Sequence, residues 1–142
     1  MLRVTEECAH RQATKVYAIT ADTELHPAAD LVIAKKTADE VGAKHLTVKI
    51  EELENAGISD NPPERCYLCK KYIFRKIIQK AEQYHAYTIL EGTNADDLKM
   101  YRPGLKAVKE SGVRSPLMEA GLTKQEVRVL AGRYGIAAAE RP

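Results

Sequence analysis

Three short apolar runs, separated by segments with helical spacing, constrain this chain more than any other feature. The first is Lys15-Val16-Tyr17-Ala18-Ile19-Thr20. The second, His45-Leu46-Thr47-Val48-Lys49-Ile50, alternates polar and apolar residues, and the third is Ala86-Tyr87-Thr88-Ile89-Leu90. Apolar runs of this length read as strands. Between the first two, Pro27 suits the first turn of a helix, Leu31, Ala34, Ala38 and Val41 follow at helical spacing, and Gly42 is placed to close it. After the second run, a loop over 57–63 ends in Pro-Pro. A helix is expected from near Cys66, with Ile73, Phe74, Ile77, Ile78 and Ala81 as its apolar stripe. Residues 1–13 carry Leu2, Val4, Cys8 and Ala9 at a weak helical spacing. This alternation predicts an α/β layer fold with a mostly parallel sheet. Ligands of such sheets sit at the carboxyl ends of the strands, so the loops after Thr20, Ile50 and Leu90 are where chemistry is expected.

From Glu91 to Pro116 the chain reads as loop, with one short helix around Leu105 to Glu110. Thr123-Lys124-Gln125-Glu126 has the capping-box pattern that starts a helix. Val127, Leu130, Ala131 and Tyr134 form its expected buried stripe, and Gly135 its end. A length of 142 residues suits a single domain spanning 1–142. A net charge of +2 argues against a nucleic-acid partner. No apolar run approaches the roughly 20 residues that span a bilayer, and no charged-then-apolar leader opens the chain. A cytoplasmic location with no membrane association is therefore expected, and the odd count of three cysteines reads as reduced thiols or ligands.

Two stretches carry potential chemistry. In Glu91-Gly92-Thr93-Asn94-Ala95-Asp96-Asp97, Gly92 permits an unusual backbone conformation and Thr93 and Asn94 offer hydrogen bonds. The adjacent carboxylates could hold a divalent metal or orient a cation. An ordinary turn has the same composition. Cys66-Tyr67-Leu68-Cys69, followed by Lys70-Lys71, has the spacing of half a zinc site, a redox pair or two ligands of an iron–sulfur cluster. Cys8 reads as a small buried hydrophobe. Downstream, Arg102, Lys106 and Arg114 suit phosphate or carboxylate oxygens, or plain solvated surface. The four histidines are scattered and read as surface or strand-edge residues. No Walker-type, Gly-x-Gly-x-x-Gly or Gly-x-Ser-x-Gly motif occurs.

Four ordered stretches together resemble a known family: 61–70 (Asn-Pro-Pro-Glu-Arg-Cys-Tyr-x-Cys-Lys), 91–97, 101–107 (Tyr-Arg-Pro-Gly-Leu-Lys-Ala) and 114–124 (Arg-Ser-Pro-Leu-x-Glu-Ala-Gly-Leu-Thr-Lys). They are similar to the LarE-type ATP-dependent sulfur transferases of the PP-loop ATP pyrophosphatase, or adenine nucleotide alpha-hydrolase-like, superfamily. The resemblance runs over nearly the whole chain and is densest from Asn61 to Arg128. It implies a Rossmann-like three-layer sandwich. It also implies adenylation of a carboxylate with release of pyrophosphate, followed by sulfur delivery that displaces AMP. The substrate it implies is a pyridinium carboxylate mononucleotide on the way to a nickel-pincer cofactor, with ATP and Mg2+ as cofactors. Carried over by position, Lys70, Asp97 and Arg114 take catalytic roles. Thr20, Ala21, Asp22, Gly92, Thr93, Asn94, Asp96 and Arg102 line the nucleotide side, and Cys66 and Cys69 match the pair that helps to hold a four-iron–four-sulfur cluster in one branch.

The family's first strand and Ser-Gly-Gly-x-Asp-Ser phosphate loop precede its first helix, whereas this sequence opens at Met1-Leu2-Arg3-Val4, within that helix. Both are expected to be missing, as is the cluster's third cysteine, which would follow 140–142. Pyrophosphate release from ATP by these 142 residues is therefore not expected. Strands 15–20 and 86–90 should either leave facing edges unpaired or close on each other, which favours a homo-oligomer. The alternatives are a non-catalytic remnant that binds a nucleotide or a partner chain, and a small metal-binding Cys-x-x-Cys module.

Overall fold

A computed structural model describes residues 1–12 and 14–140. It is an α/β structure with a two-stranded parallel sheet and, among the described residues, seven α-helices. In chain order they are α1 (Leu2–Arg11), β1 (Tyr17–Thr23), α2 (Ala28–Val41), β2 (Lys44–Ile50), α3 (Glu52–Asn55) and α4 (Arg65–Glu82). A 3-10 turn (Ala95–Lys99), α5 (Gly104–Glu110), α6 (Pro116–Glu119), α7 (Lys124–Arg133) and a last 3-10 turn (Ala137–Glu140) follow. No helix among the described residues is long and apolar enough to cross a membrane.

β1 and β2 pair in one unbroken register, from Tyr17 opposite Lys44 to Thr23 opposite Ile50. The two strands therefore end side by side, and the Thr20 hydroxyl meets His45 Nε2 across them at 2.9 Å. Between them α2 starts after Pro27, and Gly42 (φ 79°) ends it in the left-handed region open to glycine. The buried Ala38, Val41, Ala43, Leu46 and Ile50 join its last turns to β2. Helix α4 begins only after Pro62-Pro63, because the residue before a proline is pushed out of helical geometry. Its Phe74 packs with Val108 of α5 and with Val113, flanked by Ile77 and Ile89. His85, at φ 57°, turns the chain out of α4.

Three sequence expectations are corrected. The segment 86–90 is not a strand. Its sole pairing among the described residues is the parallel bridge of Leu90 with Arg114, with the Arg114 amide donating to the Ile89 carbonyl at 3.0 Å. Apolar alternation makes a strand only where a continuous neighbour completes its ladder. None does so here, so the sheet has two strands rather than the wider span expected. β1 has β2 as its one ladder partner among the described residues, and Tyr17 through Asp22 are only half-buried. Second, β1 runs 17–23 rather than 15–20, so Thr20, Ala21 and Asp22 lie within the strand and not in the loop after it. Third, α7 starts at the expected capping box, but none of its residues is buried. Val127, Leu130 and Ala131 are half-buried and Tyr134 is exposed, since α7 packs mainly on the final 3-10 turn.

Candidate functional site

Where β1 and β2 end together, two carboxylates tie the outgoing loops to each other. Glu52 is fully buried, and its carboxylate accepts the Glu24 and Leu25 amides at 3.2 and 3.1 Å. Glu24 in turn accepts the Leu53 amide at 3.2 Å. The sequence reading missed Glu52. Its signal was positional, two residues beyond the second apolar run and at the strand end where ligands gather. The Glu52 charge also reaches Cys69, which brings the start of α4 to these strand ends. Burial raises the Cys69 thiol above the usual range, the Glu52 charge adds to this, and Arg65 opposes it. Cys66 lies one helical turn before Cys69 and is exposed, and its charge also acts on Cys69.

Lys70 follows directly, half-buried, with its ammonium 6.0 Å from the centre of the Phe74 ring. It has no carboxylate partner among the described residues. Its aliphatic chain runs against Gly104, the first residue of α5. Two residues earlier, Arg102 pairs with Asp97 at 2.9 Å. Asp97 also accepts the Asn94 amide at 3.0 Å while Asn94 accepts the Asp96 amide at 3.0 Å, which caps the 95–99 turn. Asp96 accepts the Lys124 amide at 2.9 Å and pairs with Lys99 at 3.1 Å. The first of these contacts, then the second, holds its carboxyl below the usual range. Gly92 has an ordinary backbone conformation, with no neighbour where a side chain would begin.

Upstream of that turn, Glu91 accepts the Thr93 amide at 3.0 Å, the Thr93 hydroxyl at 2.7 Å and the Ser115 hydroxyl. Thr93 and Ser115 are both buried. Arg114 is drawn to Glu119 at 2.7 Å, and its hydrogen bond holds the Glu119 carboxyl low. The structure thus gathers Asn94, Asp96, Asp97 and Arg102 in one network, with Gly92 and Thr93 just before it in the same loop and Lys70 against Gly104, two residues after Arg102. Thr20, Ala21 and Asp22 stand apart on β1. A groove of about 430 Å³ on another face of α4, floored by Leu68, Tyr72 and Ile78, contains none of the candidate residues.

No group of three His, Cys, Asp or Glu residues able to hold a metal occurs among the described residues. Cys66 and Cys69 supply two thiols, and Cys8 is exposed on α1 rather than the buried hydrophobe expected. These residues alone do not fit a four-iron cluster, which is held by cysteine thiolates. Asp96 and Asp97 have every carboxylate oxygen engaged by an amide or a cation, so a magnesium ion held here would share those oxygens, through their second lone pairs, with the present partners.

No protein-family profile matches the chain. It is 35% identical over 125 residues to an uncharacterized protein of Synechocystis, covering 88% of this chain and 47% of that protein. An uncharacterized protein of Methanocaldococcus jannaschii is 34% identical over 96 residues, 68% of this chain and 38% of its own length. The pyridinium-3,5-bisthiocarboxylic acid mononucleotide synthase of Lactiplantibacillus plantarum is 34% identical over 121 residues, 85% of this chain and 44% of the synthase. The chain thus spans less than half the length of the curated relatives it matches. Over the part of those proteins that it spans, the chain is a homologue of the plantarum synthase, and its similarity is to the LarE-type sulfur transferases.

Proposed function

We propose that this chain works in ATP-dependent sulfur transfer to the carboxylate of a pyridinium mononucleotide, a reaction whose product would be of the thiocarboxylic kind that the plantarum synthase is named for. In this reading a substrate carboxylate oxygen attacks the α-phosphorus of ATP, and the bond to the bridging oxygen breaks as pyrophosphate leaves. A sulfur nucleophile then adds to the activated acyl carbon, and AMP departs with the electron pair of the carbon–oxygen bond. ATP and Mg2+ are the cofactors of this reading, and the protein is a cytoplasmic homo-oligomer whose 142 residues form one domain of Rossmann-like, three-layer type.

The observation that carries the reading is Lys70, a half-buried residue whose ammonium has no carboxylate partner among the described residues. It sits between the Cys66–Cys69 pair and the Arg102–Gly104 turn. A positive charge fixed in a partly desolvated place stabilises the charge that develops on phosphate and acyl oxygens. Arg102 and Arg114 are already neutralised by Asp97 and Glu119, so they reach a ligand only by exchanging those partners. Thr93, Asn94 and Asp96 form the nucleotide side, with Gly92 giving the backbone room to approach.

Calorimetric titration with nicotinoyl sulfamoyl adenosine, a stable mimic of the acyl adenylate, tests this function. The protein should bind it, and Lys70→Ala should weaken binding about tenfold, equivalent to about 1.4 kcal/mol. Binding indifferent to Lys70 overturns the assignment. No binding by the unmodified protein leaves the non-catalytic alternative standing.

A further inference from the structure

The eight glycines of this chain serve different ends, and Gly104 is unlike the rest. Gly42, Gly57, Gly112, Gly121 and Gly135 take positive φ values, which side chains disfavour. Gly92, Gly104 and Gly132 do not, so their backbones would accept alanine. Gly104 even opens a helix, where alanine is the better helix former by about 1 kcal/mol. It is also the one glycine where an added Cβ would meet a neighbour within 4 Å. That Cβ would lie 3.0 Å from Lys70 Cδ, 3.9 Å from Lys70 Nζ and 3.9 Å from the Cys66 carbonyl oxygen.

From this we infer that Gly104 is a positioning residue for Lys70, an inference that rests on the functional reading of Lys70 above. The missing Cβ is the space that the lysine chain occupies. With the Phe74 ring near its ammonium and Gly104 along its stem, Lys70 is held by packing rather than by a carboxylate. Its charge therefore stays available to an anion. The Asp97–Arg102 pair fastens the turn that presents Gly104, so the acidic loop and the lysine are set relative to each other. A methyl group at 104 meets the flexible part of the lysine chain, so it moves the ammonium and leaves the helix in place. At 3.0 Å the lysine chain has to give by a few tenths of an ångström, enough to shift an ammonium at its end.

Gly104→Ala, Lys70→Ala and the double variant test the inference in two ways. Acetylation of each lysine by acetic anhydride, followed by mass spectrometry, reads the ammonium's surroundings without relying on any activity. Lys70 should react severalfold faster in Gly104→Ala, with the other lysines and the melting temperature unchanged. Affinity for nicotinoyl sulfamoyl adenosine should fall about tenfold in Gly104→Ala, or about 1.4 kcal/mol, and Gly104→Ala should add nothing in the Lys70→Ala background. Unchanged Lys70 acetylation, or equal losses in both backgrounds, overturns the positioning role. Faster Lys70 acetylation in a protein that fails to bind the mimic leaves the role intact and rejects the sulfur-transfer reading alone.

Discussion

The segment from Glu91 to Glu126 contains no strand, yet none of its buried side-chain polar atoms lacks a hydrogen-bond partner. β1 is a regular strand, yet one of its edges has no partner among the described residues. In the former, Glu91, Asn94, Asp96, Asp97, Arg114 and Glu126 find donors or acceptors mostly within a few residues of themselves. Bonds spanning so few residues close small loops at little entropic cost. A strand cannot finish itself this way, because its backbone groups point sideways towards other strands. Regular secondary structure is therefore no guide here to which region is energetically complete.

The largest effect should come from the centre of the matched segment. Glu91→Ala leaves the buried Thr93 and Ser115 hydroxyls without their acceptor, and urea unfolding should show a loss of about 2–4 kcal/mol. A loss below about 1 kcal/mol would mean that water replaces Glu91 and the network is not a unit. Hydrogen exchange compares the two regions directly. The amides of Asn94, Ala95, Asp96 and Lys124, each bonded within the network, should exchange roughly a hundredfold more slowly than the β1 amides facing away from β2. Equal protection in the two regions ends the contrast.

A smaller effect belongs to the α7 cap. Thr123 accepts the Glu126 amide while Glu126 accepts the Thr123 amide at 2.8 Å. Thr123→Ala should cost about 1 kcal/mol in thermal unfolding, and a neutral outcome would show that α7 is held by tertiary packing instead. The smallest effect is the pH response. Asp96, Glu119 and Glu126 have carboxyls lowered chiefly by the Lys124 amide, the Arg114 side chain and the Thr123 amide respectively. Their folded values lie below their unfolded ones, so their contribution is whole above the ordinary carboxylate range, near pH 4, and is lost as pH falls through the lowered values. Carbon-detected NMR titration should place all three below the ordinary values of their residue types. Coincident titration would remove the electrostatic part of the comparison.

Much of the candidate site was legible because it is local. Cys66, Cys69 and Lys70 share one helix, Asn94 to Asp97 form one turn, and the Thr123–Glu126 cap follows from spacing alone. Glu52 was not legible, because its importance comes from accepting amides 27 and 28 residues away. The segment 86–90 misled for the opposite reason. Its apolar pattern is that of a strand, and what it lacks is a neighbour.

By itself, then, the sequence determined the longer helices, the end of α2 at Gly42, the start of α4 after Pro62-Pro63 and the Thr123–Glu126 cap. All of these rest on steric limits of φ and on contacts between residues three or four apart. Only the tertiary structure decided that β1 extends to Thr23 with an open edge, that Glu52 accepts amides 27 and 28 residues away, and that Lys70 lies along Gly104. Those outcomes depend on which distant surfaces meet. A packed interior resolves such meetings at the scale of a single methyl group, and no periodicity in a chain records them.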